Sequence, residues 1–399
     1  MVMNPHPDFL PTRDTALARI AAVNPAAYAR TRNAINGAVT QLSPYITHSI
    51  VSLPEVLAGV AARHAIDVQH KFVFELGWRA YFRHVWQHRG ESILHSLHAG
   101  PLTDAAYLTE LPNDIRQACT GVPVIDAAVR TLYASGMLHN HARMWLASYI
   151  VHLRKVHWRV AADWLVSHLL DGDLASNHLS WQWVAGTGSS KPYLFNAENV
   201  ARYAPATWHS PGSMIDCSYE VLDVIARQPV PVRSEPSETG VEEPGVASIP
   251  DGWITDQAQL PSLAGRDICL VHPWALGPLP ADLPANTLCL GLWLTDYHQT
   301  WPWSQARWTF VGTRMTALTS HCIHIDRERL TTLLRGAQSV HTVADPHISR
   351  HLPDQVLQRR APALFAEVDR RCDSFSTWWK QATRGVTSVH DLPGLNTMI

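Results

Sequence analysis

The apolar residues of this 399-residue chain change their spacing on either side of residues 228–251, and that change limits what the chain can fold into. Before it, apolar side chains recur at i, i+3 and i+4 in 71–88 (KFVFELGWRAYFRHVWQH), 123–135 and 139–154, with Gly and Pro between the runs. This is the pattern of amphipathic helices. After it come short apolar or alternating runs, DICLVH (267–272), TLCLGLWL (287–294) and HCIHID (321–326), separated by helix-like segments such as WSQARWTFVGTRMTAL. Strands that alternate with helices predict a small parallel sheet. The stretch between, QPVPVRSEPSETGVEEPGVASIPD, is rich in Pro, Glu, Ser and Gly and has no apolar period, so it reads as a solvated linker. The expected fold is α + α/β, with an all-helical domain over 1–227, a linker over 228–251 and a smaller α/β domain with C-terminal helices over 252–399.

Composition narrows the function classes. With 46% hydrophobic and 17% charged residues the chain is a globular one, and it has no run of the ~18 apolar residues that a membrane span needs. The N-terminus, MVMNPHPDFLPTRD, lacks a basic region followed by an apolar one, so a cytoplasmic location and no membrane partner are expected. Cys119, Cys217, Cys269, Cys289, Cys322 and Cys372 are far apart and never form a CxxC pair, which argues for reduced, mostly buried thiols and against a metal or iron–sulfur site. Residues 1–227 carry 18 Lys+Arg against 17 Asp+Glu, so net charge gives no support to nucleic-acid binding and only a local basic patch would.

Four separated segments carry candidate chemistry. Tyr28 to Tyr45 contains Arg30, Arg32 and VTQLSPY, where Thr40 and Ser43 are either helix-capping hydroxyls or donors to a phosphate at a helix start. FELGWRAYFRH (74–84) places Glu75, Arg79 and Phe82 along one side of a helix with Trp78 one turn from Phe82, as an ion pair beside a core aromatic or as part of a pocket. In 120–148, His139, Asn140 and Arg143 fall within about one turn, and Met144 lies one turn from Asn140. Polar groups so close to an apolar face need partners from another element or a ligand. LLDGDLASNHLSWQW (169–183) sets Asp171 and Asp173 around a glycine, then Asn177 and a Trp-x-Trp pair, with no His or Cys at metal-ligand spacing.

The order TxLSPY, ELxWRxxxR, TGxPxxDAAxRxLxxxGxxHNxxRM and DGDLAxNxxxWQW, over residues 28–196, resembles the FAD-binding part of the DNA photolyase and cryptochrome family. The resemblance implies FAD as cofactor and a photolyase-type helical domain. It implies that Tyr28, Thr40, Leu42 and Ser43 hold the FAD tail and phosphates. Arg79, Asn140, Arg143, Asp171 and Asp173 would hold the isoalloxazine and ribityl parts, with Asn177 facing the flavin N5. Trp181 and Trp158 would be the proximal and middle members of a chain that passes electrons to the flavin. The distal position falls near Ile115, so either another aromatic, such as Trp145, Trp164 or Tyr133, ends the chain, or photoreduction is slow.

In the same way the resemblance implies a site for DNA carrying cyclobutane pyrimidine dimers, formed by Glu75, Trp78, Asn140, Met144 and Trp183, with Glu75 in a catalytic role and the dimer flipped out of the stack. The expected activity is that of a deoxyribodipyrimidine photolyase driven by blue light; the alternative is a cryptochrome-like photoreceptor without repair. The chain departs from the pattern at Met137, where the family has a second stacking tryptophan, and at His141, where it has an arginine. An arginine near PYLFN is also missing, and Arg32, Arg83 and Lys191 are candidate replacements as phosphate contacts. The α/β region faintly resembles the family's antenna domain placed after, rather than before, the FAD domain; no antenna chromophore or signalling partner is assigned.

Overall fold

The computed structural model describes residues 5–233 and 239–396. Its helical layer is built on α1 (Lys71–Arg89), α2 (Pro123–Ser135), α3 (Asn140–Ser148), α4 (Trp158–His168) and α5 (Leu174–Ala185). The helix boundaries have local causes. The His70 side chain caps α1 and Gly90 ends it; α2 starts on Pro123 and stops at Gly136 in the left-handed region. Asp173 caps α5 by accepting from Ser176 N, and Gly186 terminates it at φ 79°. Leu174, Asn177, Leu179, Trp181 and Val184 are all buried although they point in different directions, so α5 is a central helix, packed on all but the side of Ser176, Ser180 and Trp183. The helix expected over 139–154 is interrupted: after Ser148 the chain widens into a π turn, Tyr149–Leu153, and Lys155 takes a positive φ of 52°.

The α/β part is a five-stranded parallel sheet of β1 (Asp267–Val271), β2 (Leu288–Leu294), β3 (His321–Ile325), β4 (Ser339–Val343) and β5 (Leu357–Arg359), in spatial order β3-β2-β1-β4-β5. The three expected strands are present, and α6 (Gln305–Leu318) follows β2 as predicted. β4 and β5 escaped the sequence reading because SVHTV alternates polar and apolar residues weakly and LQR is too short to show a period. After the sheet comes α7 (Phe375–Ala382), which packs on α1. A side chain at Gly77 would place its Cβ 2.5 Å from the Trp379 ring, so glycine is needed where α1 and α7 meet.

Two hydrophobic cores run through the molecule. One is made of 111–222 alone. The other joins residues 9–97 and Val166, Leu170, Leu174 and Leu179 to the sheet and to Trp378 and Trp379, so it crosses from the helical half to the α/β half. On either side of 234–238, which lie outside the described residues, the connecting stretch touches the helical layer: Val232 N donates to Leu153 O, Val241 N donates to Gln117 O, and Glu243 pairs with Arg116 at 2.9 Å. No helix of the described residues is long and apolar enough to cross a membrane, and the six cysteines are free.

Candidate functional site

α1, α3 and α5 converge with the Asp171–Asp173 loop around a cavity of about 210 Å³. Ten of the expected site residues line it: Glu75, Trp78, Arg79, Asn140, Arg143, Met144, Asp171, Asp173, Asn177 and Trp181. They come from segments up to a hundred residues apart, and only the packing of the three helices brings them to one space.

Charge in this cavity is paired and fixed. Arg143 donates through Nη2 to both oxygens of Asp171 at 2.9 Å, while its Nε donates to Leu138 O. Burial pushes the Asp171 carboxyl up, but Arg143 and the Ser43 hydroxyl outweigh it and hold the group below the ordinary carboxylate range. Burial likewise opposes ionisation of Asp173, and Arg83, 2.5 Å away, with Arg79 reverses the balance. Arg79 donates from Nη2 to Thr47 Oγ1 at 2.7 Å; burial lowers its pKa and Asp173 partly offsets this. On the open side, Glu75 is raised by burial against the opposing effect of Arg32, 3.4 Å away. Asn177 Nδ2 donates to Ala162 O, which leaves its carbonyl oxygen as the group offered to the cavity.

The other expected residues lie elsewhere. Ser43 starts a short helix, Ser43–Thr47, and reaches Asp171 from outside the cavity lining; Leu42 is buried ahead of it, with its N–H donating to Thr40 Oγ1. Tyr28 sets its ring edge-on to Phe72 at 5.5 Å. Trp183 is 42% exposed and lines a neighbouring slot, not the cavity. Trp158 is buried, with Nε1 donating to Ser96 Oγ, and Ile115 is buried as well. The ring neighbours of Trp158 are His157 at 5.7 Å and His178 at 6.3 Å, which lead on to Tyr107 and Trp301. Among the described residues Trp145, Trp164 and Tyr133 make no ring contact with Trp158: Trp145 Nε1 donates to Asn199, Trp164 Nε1 to Glu243, and the Tyr133 hydroxyl to Arg116 O.

Arg83 requires a correction. It is not a surface cation free for phosphate but bridges Asp173 and Asp345, the latter at 3.1 Å. Arg32 is likewise engaged, with Glu75 and Ala29 O. Asp345 in turn accepts from His347 Nδ1 at 2.6 Å, and His347 Nε2 accepts from Leu174 N. This pattern fixes a neutral ring with its proton on Nδ1, in keeping with burial that lowers its pKa. The ring lies flat on Trp274, 4.3 Å away and 7° from parallel. A second clamp comes from α6, where fully buried Arg307 donates to Val166 O and Gly172 O and lies 3.9 Å over the Trp303 ring. A Cβ on Gly172 would fall 2.4 Å from Arg307 Nη1, which explains the glycine between the two aspartates.

Sequence reasoning missed Arg307, Asp345, His347 and Trp274. The available signal was position: HPW and ADPH directly follow β1 and β4, at the carboxyl ends of strands where the sheet order reverses, the place where doubly wound sheets bind ligands. Here the helical half's own DGD loop is held there.

The family described as FAD binding domain of DNA photolyase matches residues 72–208. The curated relatives include a deoxyribodipyrimidine photo-lyase from Streptomyces griseus, 34% identical over 155 residues, which are 38% of this chain and 33% of that protein. Another is the chloroplastic/mitochondrial cryptochrome DASH of Oryza sativa subsp. japonica, 34% identical over 171 residues, 41% of this chain and 29% of that protein. The chain thus spans about a third of the length of these relatives. Similar solved structures include a Synechocystis cryptochrome, with TM-score 0.44, 27% identity, and 51% of this chain and 46% of that one covered. Every side chain lining the cavity lies within residues 72–208, the segment that matches the FAD binding domain of DNA photolyase.

Proposed function

We propose that this protein is a blue-light-driven flavoprotein that repairs cyclobutane pyrimidine dimers in DNA. The observation that carries the reading is that Glu75, Trp78, Asn140 and Met144, the residues expected to meet a dimer, line the same cavity as the residues expected to hold the flavin. The cavity suits a flavin ring. Among the described residues Arg79 donates one hydrogen bond, to Thr47, and Ser176 Oγ is buried without a partner, so donors remain for a ligand's acceptors.

When bound, FAD supplies the electron chemistry. The protein's part is to bind, orient and set charge. Arg79 and Arg143 present cations to the ring edge, Asp171 and Asp173 accept from it, and Asn177 offers a neutral carbonyl. Glu75, whose carboxyl burial pushes up from the ordinary range, is the acidic group that would meet a pyrimidine carbonyl. Trp78 and Met144 give apolar walls, and Trp181, buried at the cavity, is the aromatic from which the flavin would take an electron.

The test is illumination of purified, reduced protein with dimer-containing single- and double-stranded DNA, reading recovery of intact thymine. Recovery in either substrate is expected. Flavin photochemistry without recovery refutes repair and leaves the photoreceptor function; absence of a bound flavin refutes both.

A further inference from the structure

The crevice at the carboxyl ends of β1 and β4, where a doubly wound sheet ordinarily takes its ligand, is filled here by the protein's own side chains. Trp274, just past β1, and His347, just past β4, stack on one another and are each 1% exposed. Trp86 of α1 meets the same imidazole edge-on, with ring centroids 4.7 Å apart, so the His347 ring is held between the two halves of the molecule.

From this ring a run of polar contacts leads to the flavin cavity. His347 donates twice to Asp345 Oδ1, from Nδ1 at 2.6 Å and from its backbone N at 3.0 Å. The other oxygen of Asp345 accepts from Arg83 Nη1 at 3.1 Å. Arg83 Nη2 lies 2.5 Å from Asp173 Oδ2, and Asp173 Oδ1 accepts from Ser176 N. His347 Nε2 also accepts from Leu174 N, the first N–H of α5, which the helix itself leaves without a partner. Of the four side chains in the run only Asp173 lines the cavity. Its position is therefore set by groups that never reach the cavity, and two of them, Asp345 and His347, lie outside the segment that matches the FAD binding domain. Charge is set in the same way. Two carboxylates share the Arg83 cation, so neutralising Asp345 leaves the surroundings of Asp173 more positive by one unit. In a buried site such a change favours whichever state of a bound group has gained electrons.

We propose that Asp345 and His347 are positioning residues of the flavin site, through which the α/β half orients Asp173 and sets how readily the flavin is reduced. The proposal rests on a flavin occupying the cavity. Asp345 acts through Arg83, and His347 acts through Asp345 and through the first turn of α5.

The test uses the full-length, FAD-loaded protein. The ratio of reduced to oxidised flavin is read by absorbance at equilibrium with a reference dye of known potential, and flavin affinity by fluorescence of the flavin released on dilution. Asp345→Asn keeps the shape of the side chain and an oxygen for His347. It is expected to raise the ratio about 3- to 30-fold at a fixed dye potential, the range for one unit charge acting through an effective dielectric of about 20. Asp354→Asn, which removes a charge from a side chain 97% exposed in the same half, is expected to leave the ratio unchanged. His347→Phe keeps a ring for Trp274 to stack on and strips Asp345 of a donor and Leu174 N of its acceptor. It is expected to weaken flavin binding about 5- to 150-fold, the range for leaving a buried polar group unsatisfied. An unchanged ratio in Asp345→Asn overturns the proposal, as does an equal change in Asp354→Asn. So does a His347→Phe protein that unfolds more readily yet holds flavin as tightly as the wild type, the result of a merely structural contact. If Asp345→Asn does not fold, the flavin affinity of His347→Phe decides. A wild-type protein that holds no flavin refutes the flavin reading itself, and the proposal with it.

Discussion

Arg83→Met should unfold the protein more readily at neutral pH than in mild acid. Arg83 lies between two carboxylates, Asp173 with 1% of its side chain exposed and Asp345 with 12%. Removing one partner of a buried ion pair costs about 3 to 5 kcal/mol, because the remaining charge keeps its desolvation penalty. Two carboxylates share this cation, and His347 and Ser176 N still donate to them, so about 4 kcal/mol at pH 7 is the expected loss. That is a large part of the roughly 5 to 15 kcal/mol by which domains are stable. The pH dependence has a definite sign. In the wild type Asp173 and Asp345 are held below their unfolded value, so their contribution is complete above about pH 4 and fades as pH falls through the lower folded values. Without Arg83, burial dominates and the folded values rise above the unfolded one. The variant then gains stability as pH falls and the carboxyls take up protons. Urea unfolding of both proteins at pH 7 and pH 5, followed by tryptophan fluorescence, should show the difference between them shrink in acid. A loss under about 1 kcal/mol at pH 7, or one that does not change with pH, refutes this account of the Asp173–Arg83–Asp345 bridge.

Arg307→Ala removes two charge-assisted hydrogen bonds to backbone carbonyls, worth about 1.5 to 3 kcal/mol each, and should lower stability by about 3 to 5 kcal/mol in the same assay. It should also release flavin, as absorbance after desalting will show. Asp171→Ala leaves Arg143 without its bidentate partner and should cut flavin retention at least tenfold while the far-ultraviolet dichroism stays helical. Glu75→Gln should keep the flavin and lose most of any dimer-splitting activity; normal activity in this variant removes Glu75 from the site. Trp181→Phe should bind FAD normally and slow light-driven flavin reduction at least tenfold, measured by bleaching in the presence of a thiol reductant.

Much of the helical half was legible in the sequence because its signals are local. α1 is spelled by the spacing of Phe72, Val73, Leu76, Tyr81 and Val85, and α2 by the proline at its start and Gly136 at its end. The DGD loop is legible for the same reason, since Asp173 both caps α5 and lines the cavity. β4 and β5 were not legible: SVHTV sets His341 and Thr342 side by side and so breaks the apolar alternation, and LQR is only three residues long. Arg83 shows a different limit. Its helical position was clear, but whether it met phosphate or carboxylate depended on Asp345, 262 residues away.

By itself, then, the sequence determined the order of helices and strands, the positions of the cavity residues and the resemblance that names a flavin, because these depend on spacing within a helix or a loop. Only the tertiary structure decided how the two halves meet. Trp274, Asp345 and His347 gather at the carboxyl ends of β1 and β4, where they meet the DGD loop, and Phe375 comes to rest on Trp78. Contacts between residues so far apart in the chain follow from the shape of the shared core and the need to pair each buried charge, and no short-range pattern records either.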